Sequence, residues 1–266
     1  MPDRQRLYRT EAIVLRRADL GEADRLLTLL TPERGKLRVI AKGVRKIASR
    51  KSGHVELFNR VSLLMARGRG ELDIVSQAET IEASRPLRDD LLRSTYAHYA
   101  AELIERFAEE GTAQPELFDL MVDGLAWFST ASDLALAARY FELRLLTLAG
   151  FQPQVFRCVA GGEPLGEIKD DETYGWSPGE GGALCPHHAE NRADISRLSL
   201  GALKVLRHAM RSDYHSFVAL QLRPSVAYEV EQAMQRYLNY VLERKSKSME
   251  FINLLRREQI SKSVGQ

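Results

Sequence analysis

The stretch LGEADRLLTLLTPERGKLRVIAKG, residues 20–43, decides the fold. Its centre, Thr31-Pro32-Glu33-Arg34-Gly35, is a turn: proline presets φ, and glycine accepts the positive φ that often follows. Before the turn, residues 25–30 form a short apolar run. After it, residues 36–41 alternate, with Lys36 and Arg38 on one face and Leu37 and Val39 on the other, the period of a half-buried strand. Working outward, residues 8–17 form another run, centred on Ala12, Ile13, Val14 and Leu15, and Asp19-Leu20-Gly21-Glu22 is a turn. Residues 57–65 and 71–81 are two more strand candidates, separated by Ala66-Arg67-Gly68-Arg69-Gly70. Five strands with short links fit a small closed barrel such as an OB-fold.

From Arg88 the apolar period becomes helical. Leu91, Leu92, Tyr96, Tyr99, Leu103 and Phe107 recur at three- and four-residue steps, and Gly111 closes the helix. Pro115 suits the first turn of a second helix. Ser132 is the expected N-cap of a third, which runs to Gly150 and is apolar nearly all round, as the buried centre of a bundle must be. Residues 151–190 are rich in glycine, proline and acids. Helices resume near Ser199, and Ser225 is the expected cap of a long helix through Leu242. The fold class expected is therefore α+β: a barrel domain at 1–84 and a helical domain at 85–266, interrupted at 151–190.

Charge divides the chain into three. Residues 1–80 hold 17 Lys and Arg against 10 Asp and Glu, residues 81–235 hold 14 against 23, and residues 236–266 hold 7 against 3. Within the barrel the imbalance concentrates at Arg34, Lys36, Arg38, Lys42, Arg45, Lys46, Arg50, Lys51, Arg60, Arg67 and Arg69, with Glu56 the one acid of that span. Self-repulsion at that density points to a polyanion as partner. Gly43 and Gly53 would let the loop backbone approach a phosphate closely, and release of counterions would make binding salt-dependent. Tyr8 and Phe58 are the only aromatics in residues 1–80. A single-strand specialist offers more stacking rings, so backbone-directed binding of single- and double-stranded nucleic acid is expected, with Tyr8 and Phe58 read as core at least as readily as stacking residues.

Two cysteines, Cys158 and Cys185, rule out a dense disulfide framework. Cys185 and His188 have the spacing of one metal knuckle, with His187 beside them, whereas Gly161 stands where a second cysteine would follow Cys158. Three ligands leave a structural site open, so a metal-free relic is expected, and no cofactor; completion by His187 or a carboxylate is the alternative. A catalytic three-ligand zinc would need an adjacent general base, for which Glu180 and Glu190 are near in sequence. No P-loop, G-x-S-x-G or H-E-x-x-H occurs, and Asp170-Asp171-Glu172 reads as solvated loop. The opening residues have no apolar signal region, and no run is long and apolar enough to span a membrane. A cytoplasmic, nucleoid-associated protein that is not an enzyme is expected.

Residues 12–46, the segment YFELRLLTLAGFQP at 140–153 and GGALC at 181–185 resemble the bacterial recombination mediator family RecO. The resemblance implies an N-terminal OB-fold, a helical domain and a zinc-ribbon-like insertion that some members fill with metal and others do not. It further implies recombinational repair: strand annealing, contact with the C-terminal tail of single-stranded-DNA-binding protein, and loading of recombinase with a RecR-type partner. The family's basic motif falls on Lys42, Arg45, Lys46 and Arg50, and its basic C-terminal stretch on Arg244, Lys245 and Lys247. The partner peptide's acids need basic residues on the helical body, and Arg106, Arg139 and Arg144 are the expectation from charge type. An RNA-binding OB protein and a metal-dependent enzyme built on Cys158, Cys185 and His188 are the competing readings.

Overall fold

β1 (Leu7–Leu20), β2 (Asp24–Thr31), β3 (Gly35–Ala41), β4 (Arg60–Ala66) and β5 (Asp73–Glu82) close into a barrel with neighbour order β1-β2-β3-β5-β4. The computed structural model describes residues 7–68, 70–169, 172–243, 248–249, 251–252 and 254–255. β1 serves two neighbours. Its first half pairs antiparallel with β4 and its second half with β2, with a register shift between Val14 and Arg16. A bulge there bends the strand and increases its twist. β3 and β5 pair in parallel through Val39–Asp73 and Ile40–Ile74.

Alternation fills the barrel. Val61, Leu63 and Met65 of β4 point inward with Ala12, Val14, Leu27, Leu29, Val39 and Val75, and Val44 and Val55 of the β3–β4 loop join the same core. Each such side chain contributes about 1.5–3 kcal/mol on burial. β4 starts three residues later than its apolar run, for a backbone reason. Phe58 adopts φ 65, its N–H donates to Val14 O at 2.8 Å, and Asn59 O accepts from Val14 N at 3.1 Å. Residues 57–59 are thus a turn locked to β1.

α1 (Arg85–Asp89), α2 (Leu91–Phe107) and α3 (Pro115–Thr130) share a compact unit with the barrel. The latch is the β2–β3 turn. Lys36 N donates to Glu109 O, Gly111 N to Arg34 O and Gln114 N to Pro32 O, at 3.0–3.1 Å. Thr31 Oγ1 closes the turn by bonding Gly35 O at 3.1 Å and accepting from Arg34 N at 3.2 Å. Gly35 has φ +55, and a Cβ there would lie 2.4 Å from Glu109 O. The sheet ends at Glu82, while the division by packing comes between Thr130 and Ala131. Described parts of the tail return to this first unit: Ser248 N donates to Glu102 Oε2 at 3.0 Å, and Met249 and Ile252 are buried.

The second unit, Ala131–Ser246, begins with α4 (Leu134–Leu148), which is buried on nearly every face. Its N-cap is Asp133, whose carboxylate accepts from Leu136 N at 2.9 Å, not Ser132. Gly150 ends it at φ +80. β6 (Tyr174–Ser177), β7 (Gly182–Leu184), the single turn α5 (Pro186–Ala189) and β8 (Ser196–Leu198) follow, with the three strands ordered β7-β6-β8. α6 (Leu200–Arg211), α7 (Tyr214–Val218) and α8 (Pro224–Val241) complete the unit. Ser199, near which helices were expected to resume, caps α6. Ser225 does not cap α8, because Pro224 opens that helix and Arg223 holds the cap position. Trp176 fastens the small sheet to α8 by donating from Nε1 to Ala233 O at 2.9 Å. Arg207 of α6 reaches two carbonyls, Val155 O and Leu165 O, both at 2.7 Å. Among the described residues no helix is long and apolar enough to cross a membrane.

Candidate nucleic-acid interface

The β3–β4 loop is the most cationic segment of the barrel, and its base is firmly built. Gly43, at φ +65, donates its N–H to Asp24 Oδ1 at 2.7 Å, and Arg45 N donates to Ala23 O at 2.9 Å. Val44 and Val55 are fully buried. On the far side, buried Asn59 donates to Gly53 O and His54 O at 3.3 and 3.0 Å. His54 Nδ1 accepts from Thr80 N at 3.1 Å. Lys51 Nζ donates to Val75 O at 2.9 Å, and burial pulls its pKa down.

These bonds sort the expected DNA-binding cations into two sets. One set is engaged inside the protein. Lys36 Nζ donates to Glu105 O at 2.8 Å, and Lys51 is held as above. Arg34 lies 4.2 Å over the Tyr8 ring. Arg45 pairs with Asp19 at 3.3 Å and donates to Gly21 O. Arg60 pairs with Glu11. The other set is Arg38, Lys42, Lys46, Arg50 and Arg67: all are exposed and have no hydrogen-bond or ion-pair partner among the described residues. Arg69, Arg244, Lys245 and Lys247 lie outside the described residues.

Lys42, Arg50 and Lys51 line an open cleft of about 570 Å³ over the outer face of β1, β4 and β5. Arg9 of β1 joins them, exposed and without a partner among the described residues. Arg9 sits opposite Leu64, which sits opposite Gln77, so the cleft has a polar and mildly apolar floor beneath cationic walls, with Glu79 as the one acid on its lining. Arg9 escaped the sequence reading because it stands 25 positions before the dense basic run; its even spacing from Glu11 on a strand face was the available signal.

Neither aromatic is free to stack. Tyr8 OH donates to Asp73 Oδ2 at 2.6 Å, its ring lies under Arg34, and burial followed by that hydrogen bond raises its pKa to about 12. Phe58 is buried and packs edge-on to His98 at 4.8 Å. The most exposed of the large apolar side chains among the described residues is instead Ile47, in the loop between Lys46 and Ala48, with 108% relative exposure. An isoleucine so placed gains nothing in folding.

The three arginines expected to meet a partner peptide are engaged within the helices. Arg106 pairs with Glu102. Arg139 is 3% exposed and pairs with Glu142 and Glu231. Arg144 donates to Ser212 O at 2.7 Å and to Tyr140 OH at 2.8 Å. Each of the three is thus held by partners within its own compact unit.

The cysteine pair has a neighbour that the expected ligand set lacked. Cys158 Sγ, Cys185 Sγ and the Glu163 carboxylate converge with His188 Nδ1, all four ligand atoms lying within 4.8 Å of one another. Around Nδ1 the separations are 3.5 Å to Cys158, 3.1 Å to Cys185 and 3.3 Å to Glu163. A hydrogen bond from the Cys185 thiol is the main influence holding the Glu163 carboxyl down to about 2. Burial, then Glu163, pushes the Cys185 thiol up to about 11. A divalent cation would reverse that protonation, because a coordinating thiol is deprotonated outright. Two sulfurs, an imidazole and a carboxylate form a zinc-type donor set. Glu180, near in sequence to Cys185, is instead paired with Arg192.

A closed five-strand barrel with a cationic cleft and loop, followed by helices, defines an α+β protein whose charged surface is built on the barrel. The comparisons make this specific. The N-terminal model "Recombination protein O N terminal" matches residues 5–84, and "Recombination protein O C terminal" matches residues 88–250. A DNA repair protein RecO from Roseiflexus sp. (strain RS-1) is 40% identical over 253 residues, covering 95% of this chain and 87% of the relative. Namesakes from Dehalococcoides mccartyi (strain ATCC BAA-2266 / KCTC 15142 / 195) and Symbiobacterium thermophilum are 33% and 34% identical, each covering 94% of this chain and 96% and 98% of the relative. The chain belongs to the RecO family, whose function lies in DNA repair and recombination.

Proposed function

We propose that this chain binds single- and double-stranded DNA through the cationic face of its barrel, anneals complementary strands, and helps load recombinase onto DNA coated by single-stranded-DNA-binding protein. The observation that carries the reading is the set Arg9, Arg38, Lys42, Lys46, Arg50 and Arg67, all exposed on one barrel and its loops and without a partner among the described residues. The strand order β1-β2-β3-β5-β4 supports an OB-type assignment, a fold that binds oligonucleotides.

Mechanism follows from electrostatics. Two complementary strands repel each other; cations fixed on a rigid barrel neutralise phosphates of both and release their counterions. No bond is made or broken by the protein. Ile47, projecting between Lys46 and Arg50, meets the bases once the phosphates are seated, since apolar wedges insert between base steps. The acidic segment 81–235 opposes coating of the helical domain by DNA and leaves it for a RecR-type partner and the tail of single-stranded-DNA-binding protein. The 151–190 segment, with its small sheet and cysteine pair, acts as the zinc-ribbon-like insertion. Work of this kind places the protein in the cytoplasm, at the nucleoid. A four-donor cluster leaves no open position for a substrate, so it favours no enzyme reading.

The test is annealing of complementary oligonucleotides coated with single-stranded-DNA-binding protein. Wild type is compared with a variant carrying Lys42→Glu, Lys46→Glu and Arg50→Glu. Annealing by wild type and its loss in the folded variant are expected. Equal annealing by both would remove the loop from the mechanism, and none by either would remove annealing. Matched RNA strands as competitors decide between DNA and RNA.

A further inference from the structure

The metal that the resemblance implies for this insertion needs four donors, and we propose that in this chain Glu163 is the fourth, beside Cys158, Cys185 and His188, standing in for the cysteine absent at Gly161. Three observations carry this independently of the DNA-binding reading. The first is spacing. Zinc bonds of about 2.3 Å to sulfur and about 2.0–2.2 Å to nitrogen or oxygen imply tetrahedral edges of roughly 3.3–3.8 Å. The edges meeting at His188 Nδ1 are 3.5, 3.3 and 3.1 Å, two within that range and one just short of it, and all four donor atoms lie within 4.8 Å of one another. The second is valence. A ring nitrogen offers one hydrogen or one lone pair, so Nδ1 cannot satisfy two sulfurs and a carboxylate by hydrogen bonding. One cation at the centre satisfies all four groups.

The third observation explains the missing cysteine. A Cβ built on Gly161 would lie 2.0 Å from Glu163 Oε2 and 2.6 Å from His188 Cε1. The carboxylate and the imidazole edge already occupy the space that a side chain at 161 would enter. Gly161 and Glu163 are therefore complementary: the turn gives up a ligand at one position and gains a longer one two residues on. The turn is closed by Cys158 N donating to Glu163 O and Gly162 N to Cys158 O, both at 2.8 Å, with Gly162 at φ +76. Cys185 N, 3.4 Å from Cys158 Sγ, donates to that sulfur, which favours its thiolate. Bound zinc would clamp this turn to the Cys185–His188 turn and close the insertion on itself. The donor set has no position for substrate, so the role is structural.

The experiment uses the full chain, stripped with a chelator and titrated with zinc and with cobalt(II). Wild type is expected to bind one metal ion per chain and to show tetrahedral cobalt bands with thiolate charge transfer. Glu163→Ala should weaken binding by more than about 100-fold, since even partners that only support a ligand cost about 10–100-fold. Glu163→His keeps a donor three bonds from Cβ and should restore stoichiometric binding with a shifted cobalt spectrum. That rescue separates loss of a ligand from loss of fold. Wild type without stoichiometric metal would overturn the site. Unchanged affinity and cobalt spectrum in Glu163→Ala would overturn the role of Glu163, as would failure of Glu163→His to rescue.

Discussion

Gly35 shows how much one residue can hold. It sits at positive φ in the turn that latches the α2–α3 connection onto the barrel, and backbone oxygens of Glu109 and Thr112 lie 2.4 and 2.5 Å from where its Cβ would be. Gly35→Ala is expected to cost about 2–4 kcal/mol, combining left-handed strain with overpacking against backbone that cannot yield; chemical denaturation would measure it. A loss under about 0.5 kcal/mol would mean that the latch is soft. Ile47 is the opposite case. Ile47→Ser should leave the melting temperature unchanged, because the side chain is fully exposed, yet slow annealing several-fold if the residue meets bases. Both residues stand in the sequence, but only one was legible there. Gly35 follows Pro32 in a turn pattern, whereas nothing in the run RKIAS says that its isoleucine points at solvent. Glu163 was hidden for a related reason: the contact with Cys185 spans 22 positions, and spacing rules look for ligands of the expected type at the expected step.

At the scale of elements, local chemistry read the strands well and the boundaries less well. The five strands were visible because their faces alternate and their turns carry glycine. β4 began late because Phe58 takes a backbone conformation that an aromatic rarely adopts. The caps of α4 and α8 moved by one and two positions, since Asp133 competes with Ser132 and Pro224 prefers the first turn. The charged face was legible as composition but not as a list of contacts. Of the cations expected at the interface, Lys36 and Lys51 serve the fold through backbone carbonyls. Replacing either by methionine should cost roughly 1.5–3 kcal/mol of stability, as lost hydrogen bonds to charged groups do. The salt dependence of DNA binding should change less than with Lys42 or Lys46, and parallel denaturation and binding titrations would show which way each residue divides.

Across the whole molecule, the sequence separates a basic barrel from an acidic middle, and the packing adds α1–α3 and described parts of the tail to the barrel's unit. That addition could not be read from periodicity, because the latch is made by backbone groups far apart in the chain. It carries a consequence: a fragment ending at residue 84 leaves the β2–β3 turn without the carbonyl and N–H partners of residues 109–114. Such a fragment should be less stable than one ending at 130, by several kcal/mol for three lost backbone bonds and the uncovered apolar surface. Comparative thermal melts of the two fragments test this, and equal stability would show that the barrel does not need its helices.

The central claim, that the exposed cations form the DNA site, is met most directly by the salt dependence of binding to a single-stranded oligonucleotide. Each phosphate contact contributes roughly 0.7 to the slope of log affinity against log salt. Lys42→Ala, Lys46→Ala and Arg50→Ala together should lower that slope by about 2 while the melting temperature holds. An unchanged slope and affinity in the folded triple variant would contradict the account and move the interface off the β3–β4 loop.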